Sequence, residues 1–218
     1  MGERVRAEDK LPPNASGEEI ARAHGFRVVI DSTMPKPYVG HIDPHERLIW
    51  VRTCGWYARD QFNVLHELAH NYINHLFTGV EREAAAQRGS ASMFMPRTAF
   101  LNDYRDVDGD LVQLALRWPH VSKEAMVARV AELTDNNVAA AWDGGNRKWL
   151  RASPHLSLPI FYDKAANDAL GEVYSGGREV VVTSFVGLVT TAWRLSSAPN
   201  RAVTLTTYRT PKVKRRRW

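Results

Sequence analysis

Residues 61–73 read Gln61-Phe62-Asn63-Val64-Leu65-His66-Glu67-Leu68-Ala69-His70-Asn71-Tyr72-Ile73. Apolar side chains recur here and just beyond at the spacing of one helical face: Phe62, Leu65, Leu68, Ala69, Tyr72, Ile73 and Leu76. This spacing predicts a helix packed against the core. His66 and His70 lie four residues apart, so both imidazoles share one face of that helix.

These two histidines and Glu67 form a His-Glu-x-x-His motif, which is typical of a helical zinc site. Zinc held by three protein ligands keeps one position for water, and a neighbouring carboxylate can take the proton of that water. This chemistry is that of metal-assisted peptide hydrolysis. The alternative is a pair of buried histidines held by hydrogen bonds, and it explains the glutamate between them less well.

The third ligand must come from another part of the chain. One large group of metalloproteases has a glycine and a histidine three and six residues after the second histidine, and Ile73 and Leu76 exclude that group. His75 is no substitute, because five residues past His70 is about 140° further around the helix. We therefore expect His75 on the surface or in a capping role.

A second helix is predicted after the first, because Gly79 gives a helix stop and residues 80–93 are rich in alanine. In the resulting antiparallel hairpin, Glu83 and His70 differ in height by roughly 7 Å, which side-chain reach can close. The alanines at 84–86 would let the two helices approach closely. Glu83 is therefore a candidate for the third ligand.

Glu81 and Glu83 would both lie in the first turn of this predicted second helix. Acidic residues at that position often do no more than complement the positive end of the helix dipole. From the spacing alone, both the ligand role and this electrostatic role remain open for Glu83.

Three segments of the chain resemble the ImmA/IrrE metallopeptidases: residues 61–70, Glu83-Ala84-Ala85-Ala86-Gln87 and Met95-Pro96. The family pattern runs Arg-Phe-Thr-x-Ala-His-Glu-Leu-Gly-His, then Glu-x-x-Ala-Asn-x-Phe-Ala-Ala, then Leu-Met-Pro. This chain departs from it at Ala69, where glycine is usual, and at residues 89–91, where Phe-Ala-Ala is usual. The gap between His70 and Glu83 is also shorter than the family pattern leads us to expect. The resemblance covers roughly residues 16–134.

The resemblance implies a zincin-like peptidase core in which His66, His70 and Glu83 bind Zn²⁺ and Glu67 is the general base. It favours Glu83 over Glu81, because Glu83 keeps the family spacing to the Met-Pro pair. It also implies a substrate, since family members relieve transcriptional repression by cutting a helix-turn-helix repressor, often in mobile elements or stress responses.

The composition is that of an ordinary folded chain, with 218 residues of which 44% are hydrophobic and 24% charged. No run approaches the roughly 18 apolar residues that span a bilayer, and residues 1–10 lack the apolar core of a secretion signal. We therefore expect a cytoplasmic protein with no membrane partner. The single cysteine, Cys54, excludes an internal disulfide and a cysteine zinc ribbon, and we expect it to be buried.

The net charge of +5 comes from the C-terminal tail, which holds five cations: Lys212, Lys214, Arg215, Arg216 and Arg217. The rest of the chain therefore sums to about zero. Such a tail, which ends in Trp218, can bind phosphate backbones weakly and stack an aromatic ring on a base. More often, basic tails are only solvated, so nucleic-acid contact is the lesser of the two expectations.

The remaining elements follow from local signals. A capping box at Ser16 and Glu19 predicts a short helix, and three strands are expected at 26–30, 38–42 and 48–52, forming a small antiparallel sheet. His41, His45 and Tyr57 could reach an oxyanion near this sheet, although a structural role suits each of them better. Helices are predicted at 97–102, 109–118 and 122–133, then a strand at 148–151, a helix at 161–174 and strands at 179–186 and 202–208.

We therefore predict an α+β protein. Its parts are a flexible arm (1–15), a zinc metallopeptidase core (16–96), a helical, helix-turn-helix-like segment (97–142), a small α+β domain of unknown role (143–211) and a basic tail (212–218). The last predicted helix of the middle segment carries only Lys123 and Arg129 as cations, so packing against the core suits it better than DNA recognition.

The leading functional hypothesis is a zinc-dependent endopeptidase that cuts a protein substrate, in particular a helix-turn-helix repressor. A DNA- or protein-binding regulator with a structural or vestigial metal site is the alternative. A scaffold protein without any metal is a third possibility.

Overall fold

The structure, a computed structural model, describes residues 2, 6, 10–35, 38–158, 161–176, 180–195 and 198–208. The chain divides into two compact units, Met1–Ser122 and Lys123–Trp218. Each unit combines helices with one β-sheet, which confirms the predicted α+β class. Among the described helices, none has the length and apolar character needed to cross a membrane.

The first unit contains, in order, α1 (Gly17–Ala23), β1 (Arg27–Asp31), β2 (Gly40–Asp43), β3 (Leu48–Arg52), α2 (Tyr57–Ile73), α3 (Gly79–Phe94), α4 (Arg97–Asp106) and α5 (Leu111–Arg117). The predicted capping box starts α1: Ser16 Oγ accepts a hydrogen bond from the Glu19 N–H, and the Glu19 carboxylate accepts one from the Ser16 N–H. Gln61 ties α1 to α2, because its side chain accepts a hydrogen bond from the Glu18 N–H and donates one to the Glu18 carboxylate.

The sheet of the first unit is mixed, so the expected antiparallel sheet is corrected. Its strand order is β1-β3-β2, with β1 parallel and β2 antiparallel to β3. Strand β3 takes the centre because it carries the fully buried Ile49 and Val51. Strand β1 pairs with β3 on the side away from β2, and not with β2, the next strand in sequence.

Two further expectations differ from the structure of this unit. Several described residues of the expected flexible arm are packed: Arg6 is 6% exposed and donates to the Pro12 carbonyl at 2.7 Å, and Ala15 is buried. Cys54, expected to be buried, is exposed. Its thiol lies beside the Asp60 carboxylate, which accepts its hydrogen bond at 3.2 Å, so a polar partner takes the place of an apolar environment.

The second unit contains α6 (Lys123–Leu133), β4 (Asn137–Asp143), β5 (Asn146–Ala152), α7 (Tyr162–Ser175), β6 (Val180–Phe185), β7 (Leu188–Leu195) and β8 (Ala198–Tyr208). Its five strands form an antiparallel sheet in the order β5-β4-β8-β7-β6. Helix α7 packs on one face of this sheet, where its buried Tyr162, Ala166 and Leu170 meet Trp142 and Ala192.

The boundary between the units differs from the predicted one at residue 143. Helix α6, which was expected to pack against the peptidase core, belongs to the second unit and lies against β4, β5 and β8. The helix-turn-helix-like pair is thereby divided, because α5 and α6 belong to different units. The turn at residues 144–145, expected as a linker, closes the β4–β5 hairpin with both glycines at positive φ. The basic tail at 212–218 lies outside the described residues.

Candidate metal centre

Helix α2 supplies two of the candidate ligands. Its apolar face is buried at Val64, Leu65, Leu68, Ala69 and Ile73, and this burial sets the rotation of the helix. His66 and His70 then fall at the edge of the buried face, with 24% and 12% of their side chains exposed. Each imidazole is therefore largely shielded from water while it remains reachable from one side.

Helix α3 brings the third candidate to these histidines. Gly79 starts α3 with a φ of 54°, and the helix returns along α2, which confirms the predicted hairpin. Ala85 and Ala86 are buried, and their small side chains let the two helices approach. Glu83 is 56% exposed, and its carboxylate turns toward α2.

The three donors converge on one point. Glu83 Oε2 lies 3.2 Å from His66 Nε2, and Glu83 Oε1 lies 3.5 Å from His70 Nε2. The two Nε2 atoms are 3.1 Å apart, and the rings stand at 86° to each other. Among the described residues, these three side chains form the group of His, Cys, Asp or Glu residues that could hold a metal ion.

The spacing of these donors suits a metal ion. Ligand bonds of about 2.0–2.2 Å in a tetrahedral arrangement put neighbouring donor atoms roughly 3.3 Å apart. The distances of 3.1, 3.2 and 3.5 Å lie close to that value. Two nitrogens and one carboxylate suit zinc, and imidazole also suits other divalent metals, so the geometry defines a metal site without choosing the metal.

The electrostatics of His66 also favour metal binding. Burial lowers the pKa of His66, and the neighbouring His70 lowers it further, while Glu83 acts in the opposite direction. A lowered pKa keeps the imidazole neutral, which is the form that binds metals.

Glu67 lies next to the triad on α2 and is largely enclosed. Burial raises the pKa of its carboxyl to about 7, and the charge of Glu83 contributes to the same shift. Part of this enclosure comes from β2: a methyl group built on Gly40 would lie 2.5 Å from Glu67 Oε1. This contact could not be predicted from local sequence signals, because it depends on how the edge of the sheet packs against α2.

The other candidates from the sequence are not part of the group of three donors. Glu81 is exposed in the first turn of α3, and His75 is exposed as predicted. Of the three residues considered for an oxyanion, His41 and His45 are exposed. The third, Tyr57, is joined through its hydroxyl to His120 Nδ1 at 3.0 Å.

Comparison with known proteins gives a likeness in fold. No protein-family model and no curated protein matches the sequence. Among solved structures, a Mycobacterium tuberculosis transcriptional regulator is similar, with a TM-score of 0.68 and 19% sequence identity. The match covers 94% of this chain and 86% of the other. At this level of identity, the likeness establishes a shared fold.

Proposed function

We propose that this chain is a zinc-dependent endopeptidase in which His66, His70 and Glu83 are the ligands and Glu67 is the general base. One observation carries the proposal: three donors from two helices meet within 4.8 Å, beside a glutamate that is itself enclosed. Three protein ligands leave a fourth tetrahedral position for solvent, which is the arrangement of catalytic zinc sites.

In this proposal the bound zinc ion and Glu67 have separate chemical roles. Zinc, when bound, polarises a carbonyl and lowers the pKa of a coordinated water toward neutrality. The Glu67 carboxylate takes a proton from the attacking water and passes it to the leaving amine. Its place directly after His66 keeps it beside the ligand face of α2, and its enclosure excludes competing water.

For the substrate, the proposal follows the ImmA/IrrE resemblance: a zincin-like core that cuts a helix-turn-helix repressor and so relieves repression. Strand β2 is an outer strand of its sheet, so one of its edges is available to pair with an extended peptide. Tyr38 and Val39, directly before it, are 63% and 55% exposed. An extended substrate segment with apolar side chains would suit this edge.

The test is to incubate the protein with the purified repressor encoded beside its gene, with and without a chelator. Glu67→Gln keeps the size of the side chain but removes the base, and should slow cleavage by about a hundredfold or more while zinc stays bound. Glu81→Gln, an exposed glutamate outside the triad, is the matched control and should cut like the wild type. Cleavage by Glu67→Gln at the wild-type rate would remove this mechanism.

A second candidate is a transcriptional regulator in which the metal is structural. It is favoured by the name of the similar M. tuberculosis structure, although that likeness extends only to fold. Any DNA contact would draw on the basic tail at 212–218, because the remainder of the chain is nearly neutral.

A DNA-binding titration at several salt concentrations distinguishes the two candidate functions. A regulator of this kind should bind duplex DNA with an affinity that falls steeply with salt, and should lose it when residues 212–218 are removed. Binding of that kind, together with intact repressor after prolonged incubation with zinc, would favour the second candidate over the first.

A further inference from the structure

Gly40 opens strand β2 and lies directly against Glu67. A methyl group built on Gly40 would lie 2.5, 2.7 and 2.8 Å from Glu67 Oε1, Cγ and Cδ. All three atoms nearest to that methyl group belong to Glu67. Since carbon atoms in contact lie about 3.5–4.0 Å apart, a methyl group fits here only if the Glu67 side chain moves.

Glycine at position 40 matters because of the space beside it and not because of its backbone conformation. Gly40 is not among the residues with a positive φ, so its backbone is one that alanine adopts without strain. Its strand is held in place, because Gly40 pairs with Val51 of the buried central strand β3.

Hydrogen bonds from the described residues do not hold the Glu67 carboxylate in place. Among the described residues, none donates a hydrogen bond to Glu67, and its carboxyl is nevertheless largely buried. The orientation of this side chain therefore depends on the surfaces that it touches, and the backbone of Gly40 is one of them.

We propose that Gly40 is a positioning residue for Glu67: its bare backbone forms the wall that sets where the carboxylate sits beside the metal ligands. The inference rests on the proposed function for its catalytic consequence. A methyl group at position 40 must displace the flexible end of Glu67, because the paired strand is the less yielding partner. The displacement expected is about 1 Å, the difference between 2.5 Å and an ordinary contact.

The test compares crystal structures and kinetics of the wild type and Gly40→Ala. Gly171→Ala is the matched control, because a methyl group on Gly171 meets nothing within 4 Å and its φ is not positive. We expect Gly40→Ala to fold and bind zinc like the wild type, with the Glu67 carboxylate moved by about 1 Å. Because a misplacement of that size costs roughly a hundredfold in rate, kcat on the repressor should fall by that factor with KM unchanged.

A second variant separates positioning from a general loss of activity. Glu67→Asp shortens the side chain and makes room for the methyl group, so Gly40→Ala should cost less activity in that background than in the wild type. Equal costs in the two backgrounds would overturn the inference. So would a crystal structure in which strand β2 moves and the carboxylate does not. If the wild type cuts nothing, the proposed function fails, and the crystal structures alone decide whether Gly40 positions Glu67.

Discussion

Glu83 Oε2 lies 3.2 Å from His66 Nε2, although seventeen residues separate the two along the chain. The helical hairpin of α2 and α3 creates this contact, and it turns a two-histidine motif into a three-donor site. Because Glu83 is 56% exposed, its packing contributes little to stability. Its orientation toward the histidines therefore supports the proposed role as a ligand.

Removal of Glu83 should therefore weaken metal binding without unfolding the protein. We expect Glu83→Ala to lower zinc affinity by more than the 10–100-fold typical of residues that only support a ligand. The stability of the metal-free protein should change by less than about 0.5 kcal/mol, as for other exposed positions. Glu81→Ala, two residues away, is the matched control and should leave affinity unchanged. The measurement is a competition titration with a chelator of known affinity.

The capping box of α1 gives a pH-dependent prediction. The hydrogen bonds from Ser16, first from its hydroxyl and then from its backbone, lower the pKa of Glu19 below its ordinary value of 4.5. A lowered pKa in the folded state stabilises the fold above the unfolded value, and this contribution is lost as the pH falls through the folded value.

We therefore expect Glu19→Gln to be less stable than the wild type at neutral pH by about 0.3–1 kcal/mol, the usual value of a charge at a helix N-terminus. The difference should close below pH 4.5, and it should be smaller throughout in a Ser16→Ala background. Urea unfolding at several pH values measures it. A stability difference that stays constant down to acid pH would contradict this account of Glu19.

The junction of α1 and α2 should be sensitive to one methyl group. A Cβ built on Gly17 collides with the backbone carbonyl oxygen of Gln61, which cannot rotate away. Gly17→Ala should therefore destabilise the protein by about 1–3 kcal/mol. Gly171→Ala in α7 should instead stabilise it by about 0.5–1 kcal/mol, since alanine is the better helix former and has open space there. Equal urea midpoints for the two variants would show that the backbone near Gly17 and Gln61 shifts to accommodate the methyl group.

Local signals predicted much of the first unit. The His-Glu-x-x-His face, the glycine stop and the alanine-rich return specify the hairpin, because periodicity and chain breaks act within a few residues. The neighbour of β1 could not be obtained in this way. Strand partners depend on which strand buries most, and here the buried Ile49 and Val51 put β3 at the centre.

The strands of the second unit were harder to predict from the sequence, for a related reason. Strand β4 was missed because Ala139, Ala140 and Ala141 do not favour strands by propensity, yet all three are buried. Small side chains there suit an interior strand of a sheet with α6 packed against it. Strand β7 was also missed, although Val189, Thr190 and Thr191 are β-branched and carried a usable signal.

The contact between Gly40 and Glu67 could not be predicted from the local sequence at all. A glycine before a strand usually indicates a turn, and nothing in the local sequence relates it to a glutamate in the following helix. Only the packing of β2 against α2 shows that a side chain at position 40 would meet Glu67.

The most direct test of the central claim, that three side chains hold one metal ion, is the metal content of the protein purified without a histidine tag. The account predicts about one zinc ion per chain by elemental analysis, lost in His70→Ala and retained in His75→Ala, whose imidazole is exposed outside the triad. A wild-type protein that binds no divalent metal, or a His70→Ala variant that retains it fully, would contradict the account.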